Sequence, residues 1–539
     1  MAILISQGLS TLYRVDLSSG TATALTLPTG VTLSTTKKPS FATLNQWIVM
    51  TNSPTRNLAI DAEGTVYALN LETPTHGPTA AAGSGTGLTG DYKYKVSFYV
   101  KDTDGNVIME SPLGPASKAL TAANTDISLT DIVLSPDSIT GRRLYRTLAG
   151  GETYYQLLDI ADNTTTAVLD TLSDDSLSLL PTLASTIANP PGSVPGVRLK
   201  QIVEWKSRLW AVADDPDLLD TVFFTDTNKI YAWGNSLICH PIGQDGLGII
   251  GFAPRRSQLG IIKRSGVWLV SGTASSTGIA ASQIAVHQIE SGRAGSLAPD
   301  TIVVADDRVY WLGNDGVYEW SDNGIQNISD GLVAPWFQTD TYFQRSRFPN
   351  AFAKWNELRK TYDLHLAAAG ASTENRWVSF NTMNRKWYGP SLTSTFTPTH
   401  ATQLIDENGL PLCFVGGSDG VIYQANSNNI RDGAATAIDF DVYGPFHHMG
   451  DPDVEHYWGQ LSMLSDIEAA GTLTVTPYVG RLDASADTAI SHTLTTGRER
   501  LRRLGRGALL RLRLRHNTVN QTCAIYGYDV DPVHVIGRR

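Results

Sequence analysis

A chain of 539 residues is too long for one ordinary hydrophobic core, so two to four domains are expected. Charged residues make up only 17%, and 48 Gly and 25 Pro are spread along the chain, which excludes a disordered tract or a coiled coil and indicates a turn-rich β protein. The formal charge is −10, yet Arg498–Arg515 holds eight Arg against one Glu, so that segment is +7 and the remainder −17. A mildly acidic body with one basic patch argues against wholesale coating of nucleic acid.

The N-terminal part reads as short strands: Ile3–Ser6, Ser10–Leu17, Thr21–Leu27, Gln46–Thr51, Asn57–Asp61 and Thr65–Asn70. Residues 1–73 are taken as propeller material. Pro74–Gly90 is small, flexible and uncharged, which predicts a linker. Behind it, about seven short strands fill 91–185, among them Tyr92–Val100, Val107–Glu110, Gly141–Thr147 and Tyr154–Ile160. That number and spacing predict a β-sandwich of immunoglobulin or fibronectin type, and the lack of a Cys pair favours the fibronectin version. Its place in the chain predicts an insertion into a propeller that begins before it and resumes after Asn189–Val197.

Ile202–Trp233 is predicted to be one complete blade of a β-propeller. Its strands are Ile202–Trp205, Arg208–Ala213, Thr221–Thr225 and Ile230–Trp233, with a Lys206-Ser207 turn and an acidic loop Asp214–Asp220. Similar units follow as far as Ala425. Gly266-Val267-Trp268, Gly316-Val317-Tyr318 and Gly420-Val421-Ile422 lie 50 and 104 residues apart, near one and two blade repeats. The main propeller is expected over 198–445, with five to seven blades. A second β-sandwich is expected over 456–539, with Gly497–Gly507 as an Arg-rich connection. The predicted fold is therefore all-β: a propeller, an inserted fibronectin/immunoglobulin-like β-sandwich and a C-terminal β-sandwich.

Cys239, Cys413 and Cys523 are odd in number and far apart, so neither a disulfide framework nor a CxxC metal site is suggested. Met1–Ser10 has no basic stretch followed by an apolar core, and no run of about 18 apolar residues occurs. Synthesis in a reducing cytosol is expected.

Candidate chemistry is sparse. Asp174-Asp175, Asp214-Asp215 and Asp306-Asp307 offer paired carboxylates of the kind glycosidases use, but each sits in a predicted turn, where Asp is favoured by local hydrogen bonding. Asp102–Glu110 resembles half of a calcium loop with its Gly too early, and reads better as a hairpin turn. His447, His448 and His456 with Asp451 and Asp453 are the densest set of potential ligands, in no known zinc spacing. Trp336 and Trp387 lie near loops and are the surface candidates among the aromatics. No nucleophile-elbow, metalloprotease, P-loop or dinucleotide motif occurs in a fitting context, so no enzyme, cofactor or metal is expected. Arg511, Arg513 and Arg515 alternate with Leu510, Leu512 and Leu514, which puts the guanidinium groups on one face of a strand. With Arg498, Arg500, Arg502, Arg503 and Arg506 they form a basic surface for DNA phosphate or for an acidic neighbouring subunit.

The stretches YKYKVSFYVKDTDGNVIMESPLGPAS, GRRLYRTLAGGETYYQLLDIADNTTTAVLDT, VEWKSRLWAV, GVWLVSG and RGALLRLRLRHN, taken together, resemble the tail nozzle (DNA-stabilisation) proteins of short-tailed, podovirus-type bacteriophages. The resemblance implies a structural virion protein assembled in the host bacterial cytoplasm. It implies a homohexameric ring below tail adaptor proteins, near tail fibres or spikes and the host cell surface. Genomic double-stranded DNA would pass through its channel without sequence specificity and be held until ejection. Two rivals are a tail-tip or receptor-binding protein of a tailed phage and a propeller-type polysaccharide hydrolase or lyase.

Overall fold

The computed structural model describes residues 3–538 apart from 9, 18, 52–55, 70, 103–104, 183–198, 234, 239–247, 272–284, 332, 393–395, 407, 426–430, 433–435, 438–439, 450, 482–483 and 519–522. The chain forms two compact units, 1–393 with 398–420, and 394–397 with 421–539. Among the described residues no helix is long and apolar enough to cross a membrane.

The first unit is a β-propeller carrying an inserted β-sandwich. Its blades are antiparallel sheets whose strands pair in chain order. The first blade comprises Phe41–Leu44, Trp47–Met50, Leu58–Ile60 and Val66–Ala68. The second comprises Leu199–Trp205, Arg208–Ala213, Thr221–Phe224 and Asn235–Ile238. The third is Ile249–Pro254, Leu259–Lys263, Gly266–Ser271 and Ala285–Ser291. The fourth is Val303–Ala305, Arg308–Leu312, Val317–Ser321 and Gly324–Asn327. The fifth is Phe352–Asn356, Thr361–Leu366, Arg376–Asn381 and Lys386–Leu392. Pro398–Ile405 and Pro411–Gly417 begin a sixth. Each blade's first strand lies beside that of the next, from Phe41–Leu44 through to Pro398–Ile405. A further sheet, Ile3–Gly8, Thr11–Asp16 and Ala22–Leu25, packs on the first blade through Leu12, Leu58, Ile60 and Val66.

The row of blades curls back on itself. Lys38, just before the first blade, pairs with Asp300 at 3.3 Å and donates to the Asn350 carbonyl at 3.1 Å. Its ammonium also lies 5.1 Å above the Phe352 ring. These partners precede or begin the fourth and fifth blades. Apolar side chains fill the spaces between neighbouring blades: Trp205, Trp210, Phe224, Phe252 and Trp268 between the second and third, and Ile262, Trp311 and Trp320 between the third and fourth.

A shared turn marks the blades. Asn45-Gln46, Lys206-Ser207 and Asp306-Asp307 each join a blade's first and second strands, and each has both residues at positive φ, between 48° and 66°. Two left-handed residues in a row give a tight hairpin whose twist matches the strands it joins. The Asp306-Asp307 pair is therefore a turn. Asp215 accepts from the Asp217 amide at the start of a short 3-10 helix, Pro216–Leu218, and Asp214 pairs with Lys37.

Several expectations need correction. Ile230–Trp233 is not the fourth strand of its blade. It folds into a buried turn in which Trp233 Nε1 donates to the Ile230 carbonyl at 2.9 Å, and Asn235–Ile238 takes the outer position. The Gly-Val strands at 266 and 316 are third strands, not closing ones, because the polar segments Ala285–Ser291 and Gly324–Asn327 add outside them. Pro74–Gly90 is not merely a linker, since Thr79–Ala82 and Leu88–Tyr92 are strands of the sandwich. Its glycines serve close packing. A Cβ on Gly83 would lie 2.0 Å from Asp126 Oδ1, and the Gly85 amide donates to that oxygen at 2.7 Å.

The sandwich thus begins at 79 rather than 91, and its described part runs to 182; the expected end at 185 lies outside the described residues. One sheet runs Val107–Glu110, Tyr94–Lys101, Gly141–Thr147, Tyr154–Ile160, and another Val168–Asp170, Ile127–Thr130, Thr79–Ala82. Tyr94, Val96, Phe98, Ile127, Leu129 and Leu144 share one core, which runs on into the first and second blades at Ala42, Leu44, Ile202 and Phe223. Buried Asn57 ties both ends of the insertion: its carbonyl accepts from Leu69 N–H at 2.9 Å and its Oδ1 from Leu199 N–H at 3.2 Å.

His365 in the fifth blade is an acid-sensitive point. It stacks 4.6 Å from Phe352, and neither ring nitrogen has a hydrogen-bond partner. Burial, then the positive charge of Lys354 and the proximity of His400, push its pKa down to about 3. The unfolded chain takes up a proton near pH 6.5 that the folded chain refuses, so stability falls as pH drops from about 6.5 towards 3. This contribution should reach about 1.4 kcal/mol per pH unit. His365→Phe is expected to flatten that acid slope, measured by urea denaturation at pH 7, 5.5 and 4.5. Equal slopes in both proteins would refute the assignment.

Candidate functional site

The second unit is a sandwich of two sheets. One orders Phe440–Tyr443, Leu509–His516, Thr472–Gly480, Ile490–Thr493, and the other Arg498–Gly507, Val454–Ser465, Ile525–Arg538. Trp458, Leu461, Met463, Leu473, Val475, Leu510 and Leu512 fill the space between them. The domain begins earlier than residue 456, because Phe440–Tyr443 pairs with Leu509–His516, and the first unit ends at 420 rather than 445.

Gly497–Gly507 is not a connection. Arg498–Gly507 is a ten-residue edge strand paired with Val454–Ser465. Leu501 and Leu504 anchor it in the core, and this supplies the apolar contact that a loop would lack. The eight arginines are consequently split between two sheets. Arg511, Arg513 and Arg515 lie in the first and Arg498, Arg500, Arg502, Arg503 and Arg506 in the second.

In the first sheet the alternation holds: Leu510 and Leu512 are buried while Arg511, Arg513 and Arg515 are not. Arg513 Nε donates to Asp441 Oδ1 at 2.8 Å. That guanidinium, followed by the charge of Arg515, holds the Asp441 carboxyl below its ordinary range, against a smaller burial effect. Arg511 Nε donates to the Gly444 carbonyl at 3.0 Å, and its guanidinium lies 4.7 Å from the Tyr443 ring and 5.1 Å from the Phe446 ring. Arg513 lies 5.1 Å from Tyr443, and Tyr443 lies 6.1 Å from Tyr478. Aromatic rings thus interleave with these arginines. Tyr443 and Tyr478 come from neighbouring strands and Phe446 from the segment after one, so the local sequence around 511–515 gives no sign of them.

In the second sheet Arg502 pairs with Asp487. Arg498, Arg500, Arg503 and Arg506 are exposed and have no ion-pair partner among the described residues. At about 3.3 Å per residue these four spread over roughly 26 Å of edge strand. Such a row suits a linear polyanion and carries no sequence-reading geometry.

The same domain holds a constellation with no local sequence signature. Ser465 Oγ lies 3.0 Å from His492 Nε2, and His492 Nδ1 lies 2.8 Å from Glu499 Oε2. The connectivity is that of a nucleophile, base and orienting acid. However, His492 is fully buried, Ser465 is nearly so, and the serine hydroxyl also lies 3.1 Å from the Asp466 carbonyl. As placed, the triplet fastens three strands of the two sheets.

The other candidates are placed as follows. His447 contacts the Tyr528 hydroxyl, and His456 is buried beside Trp458. Among the described residues no group of three or more His, Cys, Asp or Glu could hold a metal ion. Asp102 accepts from the Asn106 amide at 2.8 Å in a hairpin turn. Trp336 and Trp387 are half-buried against Phe337 rather than presented as platforms. Asp174 begins a short helix and pairs with Arg146. Cys413 is buried and Cys523 partly buried, no disulfide forms among the described residues, and Cys239 lies outside them.

The sheets define an all-β chain: a propeller with an inserted sandwich, followed by a C-terminal sandwich. No protein-family model matches it, and no curated protein does. Among solved structures it is similar to an extracellular domain assigned to a one-component system of B. thetaiotaomicron, at 11% identity over 97% of this chain and 80% of that one, TM-score 0.27. It is also similar to the β-propeller domain of Cps50 (Swd1) from Myceliophteria thermophila, at 8% identity over 79% and 94%, TM-score 0.28. A third likeness is to apo AztD from Citrobacter koseri, at 8% identity over 61% and 89%, TM-score 0.24. All three TM-scores are too low to bear on what the chain does.

Proposed function

We propose that this chain is a structural subunit of a phage tail, a nozzle protein that assembles into the distal ring and closes the DNA channel until ejection. The observation that carries the reading is the order of its parts together with the free arginine row. Propeller strands, an inserted sandwich, the remaining blades and a basic C-terminal sandwich follow one another, and the stretches that resemble the nozzle proteins lie in the inserted sandwich, the second and third blades and the C-terminal sandwich. Arg498, Arg500, Arg503 and Arg506 supply unspent positive charge on an otherwise acidic chain. An acidic lining would let DNA slide, while a few arginines would grip it or bind an acidic neighbour. In this reading the ring closes by head-to-tail contacts.

Native mass spectrometry and negative-stain imaging of the purified chain, alone and with a tail adaptor ring, test this. A sixfold ring with an axial channel is expected. A stable trimer would replace the reading with a receptor-binding one. If the arginine row meets DNA, changing all four residues to Gln should reduce the salt dependence of duplex binding by roughly three to four units in the log–log slope. An unchanged slope would assign the row to a protein contact.

A further inference from the structure

Between the third and fourth blades the chain forms a cleft of about 750 Å3. Arg264, Arg293 and Arg345 stand round it, over a floor that includes the buried side chains of Leu312, Ala298 and Phe348. The volume falls in the range of small-molecule sites.

The frame is held by hydrogen bonds that leave little freedom. Asn314 Nδ2 donates to the Arg264 carbonyl at 2.9 Å and to the Gly292 carbonyl at 3.0 Å. The Asn314 amide donates to the Arg293 carbonyl at 3.2 Å. One side chain therefore stitches together the turn after the third blade's second strand, the exit of that blade and the fourth blade's turn. Arg345 closes the far side, donating through Nη2 to the Asn314 carbonyl and through Nη1 to the Gln338 carbonyl, both at 3.0 Å. The loops also pack closely: a Cβ on Gly295 would lie 2.1 Å from the Arg264 carbonyl oxygen.

The charge in this frame is unbalanced. Among the described residues the Arg345 guanidinium bonds only carbonyls, and the exposed Arg264 side chain has no ion-pair partner. Arg293 is 84% exposed and reaches Asp315 only at 3.5 Å, while Asp315 Oδ1 already accepts the Tyr318 hydroxyl at 2.7 Å. Asp340 is the single carboxylate of the lining, and its Oδ1 accepts the Arg345 amide at 2.7 Å. Guanidinium groups favour planar oxyanions, which they bind with paired, charge-assisted hydrogen bonds.

We propose that this cleft binds a small organic anion carrying two or more clustered oxyanion groups beside an apolar body. Phosphate and carboxylate sources share that chemistry. The site belongs to the propeller and is independent of the nozzle reading.

The test is calorimetric titration of the full chain at about physiological ionic strength with three probes: adenosine triphosphate, inorganic triphosphate and trigalacturonate. Saturable binding of adenosine triphosphate or trigalacturonate is expected, tighter than that of inorganic triphosphate; binding of inorganic triphosphate alone, or as tightly as either organic probe, would overturn the proposal. Adenosine triphosphate above inorganic triphosphate would support use of the apolar floor, and trigalacturonate above both would identify a carboxylate ligand. The R264Q/R293Q variant, in which two exposed side chains stay polar but lose their charge, should bind roughly tenfold more weakly or worse. Its thermal midpoint should match the parent. The R498Q/R500Q variant of the C-terminal domain should bind as the parent does. No saturable binding of any probe, or equal affinity in R264Q/R293Q, would overturn the proposal. So would a loss in R498Q/R500Q equal to that in R264Q/R293Q, since binding would then follow overall charge.

Discussion

Arg146→Met is expected to destabilise the first unit by roughly 3–5 kcal/mol, the cost of leaving a buried charge uncompensated. Arg146 is fully buried in the inserted sandwich. Its Nη1 donates to Asp170 Oδ2 at 2.7 Å and to the Leu172 carbonyl at 2.8 Å, and its Nη2 to Asp174 Oδ1 at 2.9 Å. The Tyr92 ring lies 5.0 Å from the guanidinium. Without Arg146, the buried Asp170 carboxylate keeps, among the described residues, only the Tyr94 hydroxyl at 2.7 Å and the Leu172 amide at 3.0 Å. Burial, then the Asp170 charge, raises the Tyr94 pKa, so the hydroxyl stays protonated and donates. The loss should appear as an earlier urea midpoint. Adding Asp170→Leu to Arg146→Met should restore a large part of it, because the orphaned charge is then gone. A single variant as stable as the parent would mean that water or a shift of the loop replaces the arginine.

The second large effect belongs to Trp210. Trp210→Ala is expected to cost about 3–5 kcal/mol, the range for removing a buried aromatic from a packed core. The indole stacks on Phe224 at 4.5 Å and meets Trp205 edge-on at 5.5 Å, and its Nε1 donates to the Trp205 carbonyl at 3.1 Å. It belongs to the cluster that joins the second and third blades. Trp210→Phe retains part of the stacking and should cost distinctly less. Near-ultraviolet circular dichroism and urea midpoints of both variants would check the ranking. Equal costs would place the effect in the lost Nε1 bond and not in packing.

What the sequence discloses follows from where its side chains point. Strands buried on one or both faces announce themselves, and Val107–Glu110, Gly141–Thr147, Tyr154–Ile160 and Arg208–Ala213 match the expected bounds. Outer strands such as Gly324–Asn327 do not, because solvent accepts a polar sequence there. Phe41–Leu44 is short, follows a Pro-Ser pair, and escapes notice, although it is the first blade's innermost strand. The Arg-rich strand is disguised by its charge, since only Leu501 and Leu504 mark its inner side. Alternation at 510–515 gives the arginine face correctly, but Tyr443 and Tyr478 reach it through pairing across long sequence separations. For the same reason the Ser465, His492 and Glu499 contacts are invisible until three strands are aligned.

The contact of Lys38 with the Asn350 carbonyl spans 312 residues of sequence. At translation rates of about 5–20 residues per second, the first blade leaves the ribosome roughly 15–60 s before that partner exists. Its inner side chains, Ala42, Leu44, Val49 and Ala59, need cover during that interval. The inserted sandwich, described from 79 to 182 and part of the same apolar cluster, is the first large partner that this face meets. Until the sandwich has folded over it that surface is open to other chains, and aggregation during synthesis is where substitutions that slow the folding of the sandwich would be felt first.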